Sequence, residues 1–185
     1  MSPAAGPVLQ ALTQAAVDAT GAAQGWMLQL GDGELVVVSA AGDDPGQVIG
    51  VTVAADAGSA GFVVSAGQPL AISPQADDPL GGEGVAASLG RRPTSLLCVP
   101  CGTEDAVLGV LELIDKSDGG RFTIDDVEMA TLLGGIAGAA LADGDVGVAP
   151  PAPAELSRDL AALANDDPAR YATVAPLVAA LLERG

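Results

Sequence analysis

Two cysteines stand in the spacing C-x-x-C, as Cys98-Val99-Pro100-Cys101. In thiol–disulfide chemistry that spacing works when the first cysteine opens a helix, whose N-terminus lowers the thiol pKa. Here the motif lies at the end of an apolar run of strand character. An offset of three on a regular strand sends two side chains to opposite faces, and Pro100 is the one residue placed to bend the chain and join them. A second C-x-x-C, which a four-cysteine zinc site needs, is absent. Cys98 and Cys101 are therefore read as structural thiols, with an oxidisable pair as the alternative, and no metal site is expected.

The other residue types close off much chemistry. The chain of 185 residues has no histidine, which excludes Ser-His-Asp and Cys-His catalysis and His-ligated metal. Its one lysine, Lys116, is not in a G-x-x-x-x-G-K loop. Seven Lys and Arg against 24 Asp and Glu leave a net charge of −17, which argues against nucleic acid or an anionic membrane as partner. Within this acidic chain Arg91-Arg92 is a paired basic site that can hold a carboxylate or phosphate bidentately, with Thr94 and Ser95 offering hydroxyls beside it. The competing reading is a pair of solvated arginines near Asp77, Asp78 and Glu83. Trp26 is the one large aromatic platform in the domain, and a tryptophan on a strand is more often core than ligand contact.

The elements that must position these residues follow from periodicity and turn chemistry. Val8, Leu12, Ala15 or Ala16 and Ala19 predict a helix over 3–20, closed by Gly21. Strands are expected over 23–30 and 34–40, joined at Gly31-Asp32-Gly33, where Asp-Gly is a hairpin signal. A third strand is expected over 47–53, a helix over 58–66 and a short strand over 70–72. Residues 73–94 read as a long loop with a short helix near 85–89. Strands over 95–99 and 106–114 form a second hairpin. Thr123 with Asp126 makes a capping-box-like start to a helix running to 142, with Phe122 and Val127 as hydrophobic staple. Ala130, Gly134, Gly138 and Ala142 recur every four residues along that helix, and Ala11, Ala15 and Ala19 along the first. Glycine costs about 1 kcal/mol in a helix interior, so such stripes need a packing reason, which close approach of another helix would supply.

Residues 143–153 read as a linker rich in proline and glycine. Beyond it 154–164 and 168–182 are amphipathic, with Pro176 expected to kink the second stretch. Asp and Glu punctuate the apolar runs, none of which reaches about 18 residues, and residues 1–6 lack the basic and apolar regions of a secretory signal. The expected setting is the cytoplasm, where a reducing environment suits free thiols.

Taken in order, several segments resemble the GAF domain family. Gly58-Ser59-Ala60-Gly61-Phe62-Val63 with Ala66-Gly67-Gln68-Pro69-Leu70-Ala71-Ile72-Ser73 is similar to the family's "G-x-x-G-x-v…tG-x-P-l-x-i-x-d" segment. Ser95-Leu96-Leu97-Cys98-Val99-Pro100 is similar to its "S-x-l-x-v-P" strand. Leu108-Gly109-Val110-Leu111-Glu112-Leu113, followed by Phe122-Thr123 and Asp126, is similar to "i-G-v-l-x-l…F-t-x-x-D". The resemblance covers about residues 5–142. It implies an α+β fold: a central antiparallel sheet with the first and last helices packed on one face, and small-molecule binding on the other face beneath 73–94. Ligand-binding candidates there are Trp26, Ser73, Asp77, Arg91, Arg92 and Ser95.

The resemblance also sorts the family's chemistries. Free methionine sulfoxide reduction uses cysteines in or near the loop before the "S-x-l-x-v-P" strand, and bilin attachment uses a cysteine in the same region. Residues 73–94 contain none. The cyclic-nucleotide motif Asn-Lys…Phe-x-x-x-Asp-Glu is matched at Lys116, Phe122 and Asp126 but departs at Asp115 and Val127. A Lys116–Asp126 pair would suit it, although cap and staple already account for Phe122 and Asp126.

The resulting expectation is a stand-alone bacterial GAF-type module in signalling, without enzymatic activity, catalytic residues or cofactor. It comprises a domain over 1–142, a linker over 143–153 and a helical tail over 154–185. Its expected contacts are a homodimer through the first and last domain helices, a protein partner at 154–184 and a small-molecule ligand. The alternatives are an adaptor with a vestigial pocket and a redox-active protein using Cys98 and Cys101.

Overall fold

A computed structural model describes residues 6–42, 47–75, 78–142, 153–166, 168, 170–172 and 174–176. The first helix, α1 (Pro7–Thr20), has proline at its first turn and ends on Gly21 in the left-handed conformation at φ +66°. Strands β1 (Ala22–Gly31) and β2 (Glu34–Gly42) then form a hairpin. Asp32 and Gly33 take φ of +52° and +81°, a two-residue turn whose twist matches the strands.

The third strand is shorter than expected. Only β3 (Thr52–Ala54) pairs, with residues 34–36 of β2. Residues 47–50 turn instead, with Gly50 at φ +84° and its N–H on the Val37 carbonyl at 2.8 Å. Val48 is thereby buried, where an extended strand would have carried it along the sheet edge.

Helix α2 (Gly58–Ala66) and strand β4 (Leu70–Ile72) follow. Two single-turn helices, α3 (Pro79–Gly82) and α4 (Val85–Ser88), occupy the long connection. Strands β5 (Leu96–Gly102) and β6 (Val107–Lys116) make the second hairpin, and α5 (Ile124–Ala142) completes this part of the chain. The capping box is present: the Asp126 N–H donates to Thr123 Oγ1 at 3.3 Å while the Thr123 N–H donates to Asp126 Oδ2 at 2.7 Å.

The strands form one antiparallel sheet in the order β3-β2-β1-β6-β5-β4, and both its faces are covered. Against one face α1 and α5 pack Leu9, Ala16, Val17, Leu133, Ala137 and Leu141 onto Met27, Leu97, Val99, Leu111 and Leu113. Against the other, α2 and α4 supply Ala60, Val63, Val85 and Ala86 over Trp26, Leu28, Leu96, Val110 and Ile114. Double coverage is why β5 and β6 read as continuous apolar runs rather than alternating ones.

The small-residue stripe on α5 has its neighbour inside the domain. A Cβ on Gly138 would sit 2.1 Å from the Gly102 nitrogen, and one on Gly134 would sit 2.8 Å from the Pro100 carbonyl oxygen. The stripe seats α5 on β5.

Contacts divide the chain into two compact units, Met1–Val148 and Ala149–Gly185. In the second, α6 (Pro153–Asp166) begins at the proline that the sequence placed at the end of the linker. Residues 168, 170–172 and 174–176 are also helical. The expected linker up to 152, and the tail's leucines beyond Pro176, lie outside the described residues.

Candidate functional site

On the α1/α5 side, charged groups are used to close the fold. The Lys116 ammonium meets Asp126 Oδ2 at 2.7 Å and lies 5.8 Å from the centre of the Phe122 ring. The same Asp126 oxygen accepts from the Thr123 N–H and hydroxyl. Partial burial alone would push the Asp126 carboxyl up, but the hydrogen bonds from Lys116 and Thr123 and the lysine charge outweigh it and hold it below its usual value. Nearby, the Thr94 N–H and hydroxyl donate to Asp115 Oδ1 at 2.7 and 2.9 Å. Asp115 sits at φ +54°, a conformation that short polar residues tolerate better than most. The Lys116 N–H donates to Ser95 Oγ at 3.0 Å. These bonds tie the end of the long connection to the end of β6.

Beneath α2 the chemistry is different. Glu112 on β6 is 2% exposed, with apolar Val110 and Ile114 on either side of it along the same strand face. Its cross-strand partners are Trp26 on β1 and Cys98 on β5. The Cys98 thiol hydrogen-bonds to the Glu112 carboxyl and to the buried Ser59 hydroxyl of α2. Glu112 Oε2 has no partner. Burial pushes the Glu112 carboxyl up to about 7, and the Cys98 contact only partly opposes this. Burial, followed by the Glu112 charge, also drives the Cys98 thiol well up.

The two cysteines occupy opposite faces. Cys98 belongs to the α2 side and Cys101 to the α5 side, where the Cys101 thiol contacts Met27 Sδ at 3.5 Å. Burial pushes Cys101 up to about 12. Pro100 does not bend β5 enough to unite them, and the strand pleat keeps the sulfurs apart. The oxidisable-pair alternative therefore lacks the geometry it needs.

The ligand-binding candidates differ in their surroundings. Trp26 is 2% exposed and forms part of the core beneath α2 and α4. Arg91 hydrogen-bonds to Gln24 Oε1 and so anchors the end of α4 to β1. Arg92 is exposed, Ser73 is half-buried, and Ser95 is buried with its hydroxyl engaged by β6. Asp77 lies outside the described residues. Their common region beneath 73–94 is filled by Trp26, Val63, Val85, Leu96 and Ile114, all at most 2% exposed. A cleft of about 470 Å³ lies elsewhere, lined among others by Ser65, Gly67, Thr103, Asp105 and Thr131. Among the described residues, no group of three or more His, Cys, Asp or Glu is placed to hold a metal ion, and no helix is long and apolar enough to cross a membrane.

Sequence reasoning passed over Glu112, Ser59 and Gln24. A signal for the first was present: a single carboxylate inside the apolar run 107–114, where both neighbours on either side are apolar.

A family model described as GAF domain matches residues 7–142. Solved structures agree with the fold. The second GAF domain of DevS from Mycobacterium smegmatis is 24% identical, with 74% of this chain and 92% of that one covered at a TM-score of 0.58. The GAF domain of a phosphoenolpyruvate-protein phosphotransferase from Coxiella burnetii is 22% identical, covering 74% and 86% at 0.60. The type II free methionine-R-sulfoxide reductase from Thermoplasma acidophilum is 12% identical, covering 73% and 90% at 0.59.

Proposed function

Because this chain belongs to the GAF domain family, we propose that it is a non-enzymatic sensory and regulatory module whose input face is the α2–α4 side of the sheet. The observation that carries this reading is the polar trio Ser59, Cys98 and Glu112 in the middle of that otherwise apolar face. Folding does not ask for a carboxyl group there. A well-packed apolar side chain of similar volume avoids the desolvation cost. A costly buried acid on the face where the family binds its ligands is what an input site requires.

The thiols support the absence of catalysis. A nucleophilic cysteine needs a lowered pKa and access, whereas Cys98 and Cys101 are fully buried with their thiols driven upward. The likeness to a methionine sulfoxide reductase extends to the fold, and 73–94 holds no cysteine.

A second reading has its own support. The filled face beneath α2 and α4 suits an adaptor that acts through α1, α5 and the tail, as a homodimer or on a protein partner. Native mass spectrometry of the freshly purified protein separates the two. The sensory reading expects a small molecule that stays bound in gentle conditions and is lost on denaturation. Ligand-free protein, with no stabilisation by any member of a metabolite library, would leave the adaptor.

A further inference from the structure

Glu112 poses a problem that the closed fold solves in only one protonation state. A neutral carboxyl is housed tolerably among Trp26, Val110 and Ile114. An ionised one leaves Oε2 as a buried charge without a donor, which costs more than any other polar group in such surroundings. The groups that face it offer little relief. From β5 comes the neutral Cys98 thiol, whose contact with the carboxyl offsets burial only in part. From α2 comes the Ser59 hydroxyl, which is directed to Cys98. Its partner on β1 is Trp26, and α4 presents Val85 and Ala86. The charged residues flanking these elements stand aside. Asp56 and Glu83 are exposed, and Arg91 reaches Gln24. Cys98 is the one titratable neighbour that acts on the Glu112 carboxyl.

The layer above includes two of the shortest helices of the fold. Helices α3 and α4 have four residues each, too few to be stable without tertiary support. Gly84 and Gly90 bound α4 at φ of +124° and +70°. Among the described residues, Arg91 bonds to Gln24, and Thr94 and Ser95 to the end of β6, so these links sit at the C-terminal end of the segment.

We infer that Glu112 is a proton-operated latch for the α2–α4 layer: neutral, it lets the layer close on the sheet, and ionised, it requires the layer to part and admit water or a cation to Oε2. The inference stands whether or not a small molecule also binds there. It makes opening of this face favoured above neutrality and closure favoured below it.

Trp26, the only tryptophan in the chain, lies directly across the β1–β6 ladder from Glu112 and reports on the latch. In the full chain, quenching of its fluorescence by acrylamide is to be followed across neutral pH, with far-UV circular dichroism confirming the fold at each point. Access to Trp26 should rise with a midpoint at about 7, and Glu112→Gln should stay at the low-access level throughout. A flat wild-type profile, or an unchanged transition in Glu112→Gln, overturns the inference. Should Glu112→Gln fail to fold, carboxyl-carbon NMR of the wild type decides. A buried glutamate titrating near neutrality upholds the latch, and all glutamates titrating near the ordinary value of about 4.3 overturn it.

Discussion

At the scale of single residues, two carboxyl groups work in opposite directions. The Glu112 carboxyl is raised in the fold from an ordinary 4.5 to about 7, so the native state holds a proton that the unfolded state gives up. Its favourable contribution is complete below about 4.5 and is lost as pH rises to about 7, a loss of roughly 3 kcal/mol by linkage. Chemical denaturation of wild type and Glu112→Gln across that window should show the downward slope in the first and its absence in the second. Asp126 is lowered instead. Its contribution is present above its ordinary value of 3.8 and disappears as pH falls through the depressed folded value. Asp126→Ala removes the capping-box acceptor of the Thr123 N–H and the partner of Lys116, and should cost about 1–2 kcal/mol at neutral pH. The loss should shrink in acid, where the native Asp126 is itself protonated.

At the scale of elements, the tests belong to the glycines of α5. Gly138 lies on the backbone of Gly102, whereas a Cβ on Gly135 meets nothing within 4 Å. Gly138→Ala should therefore destabilise by about 1–3 kcal/mol through overpacking. Gly135→Ala should stabilise by about 0.5–1 kcal/mol, since alanine is the better helix former. Equal effects from the two, measured by urea denaturation, would contradict the seating of α5 on β5. The same stripe shows how far sequence reading reached. Its spacing points to close approach of another helix, whereas Gly134 and Gly138 lie on the backbone of β5, because periodicity within a helix does not say which kind of neighbour it meets. The first hairpin, the capping box and the order of elements were legible because each rests on local chemistry: Asp32-Gly33, Thr123 with Asp126, and the apolar runs. The β3 region was not, because Gln47–Val53 has strand composition while a tertiary bond from Gly50 to Val37 bends it away. Glu112 left a local signal, a lone carboxylate in an apolar run, but its burial arises from the layer that closes over its face of the sheet.

At the scale of the whole molecule, the stripe on α5 is occupied internally, so pairing of two copies through α1 and α5 must use what remains outside. Val8, Ile124 and Ile136 are the exposed large apolar residues of these helices. Sedimentation at micromolar concentration should show a dimer for the wild type and a monomer, still folded, for Ile136→Glu. A wild-type monomer would remove the dimer. The division into two units, Met1–Val148 and Ala149–Gly185, predicts that a chain ending at Val148 melts within a few degrees of the full chain. Unfolding of that shorter chain would make the tail part of the domain's core.

The α2–α4 side is the proposed responsive face of this GAF fold. Native-state hydrogen exchange resolved by segment tests it most directly, because local opening and global unfolding leave different protection. Amides of residues 79–95 should exchange through local opening, well ahead of those in β1, β5 and β6, which should exchange only on global unfolding. Protection over 79–95 equal to that of the central strands would contradict it.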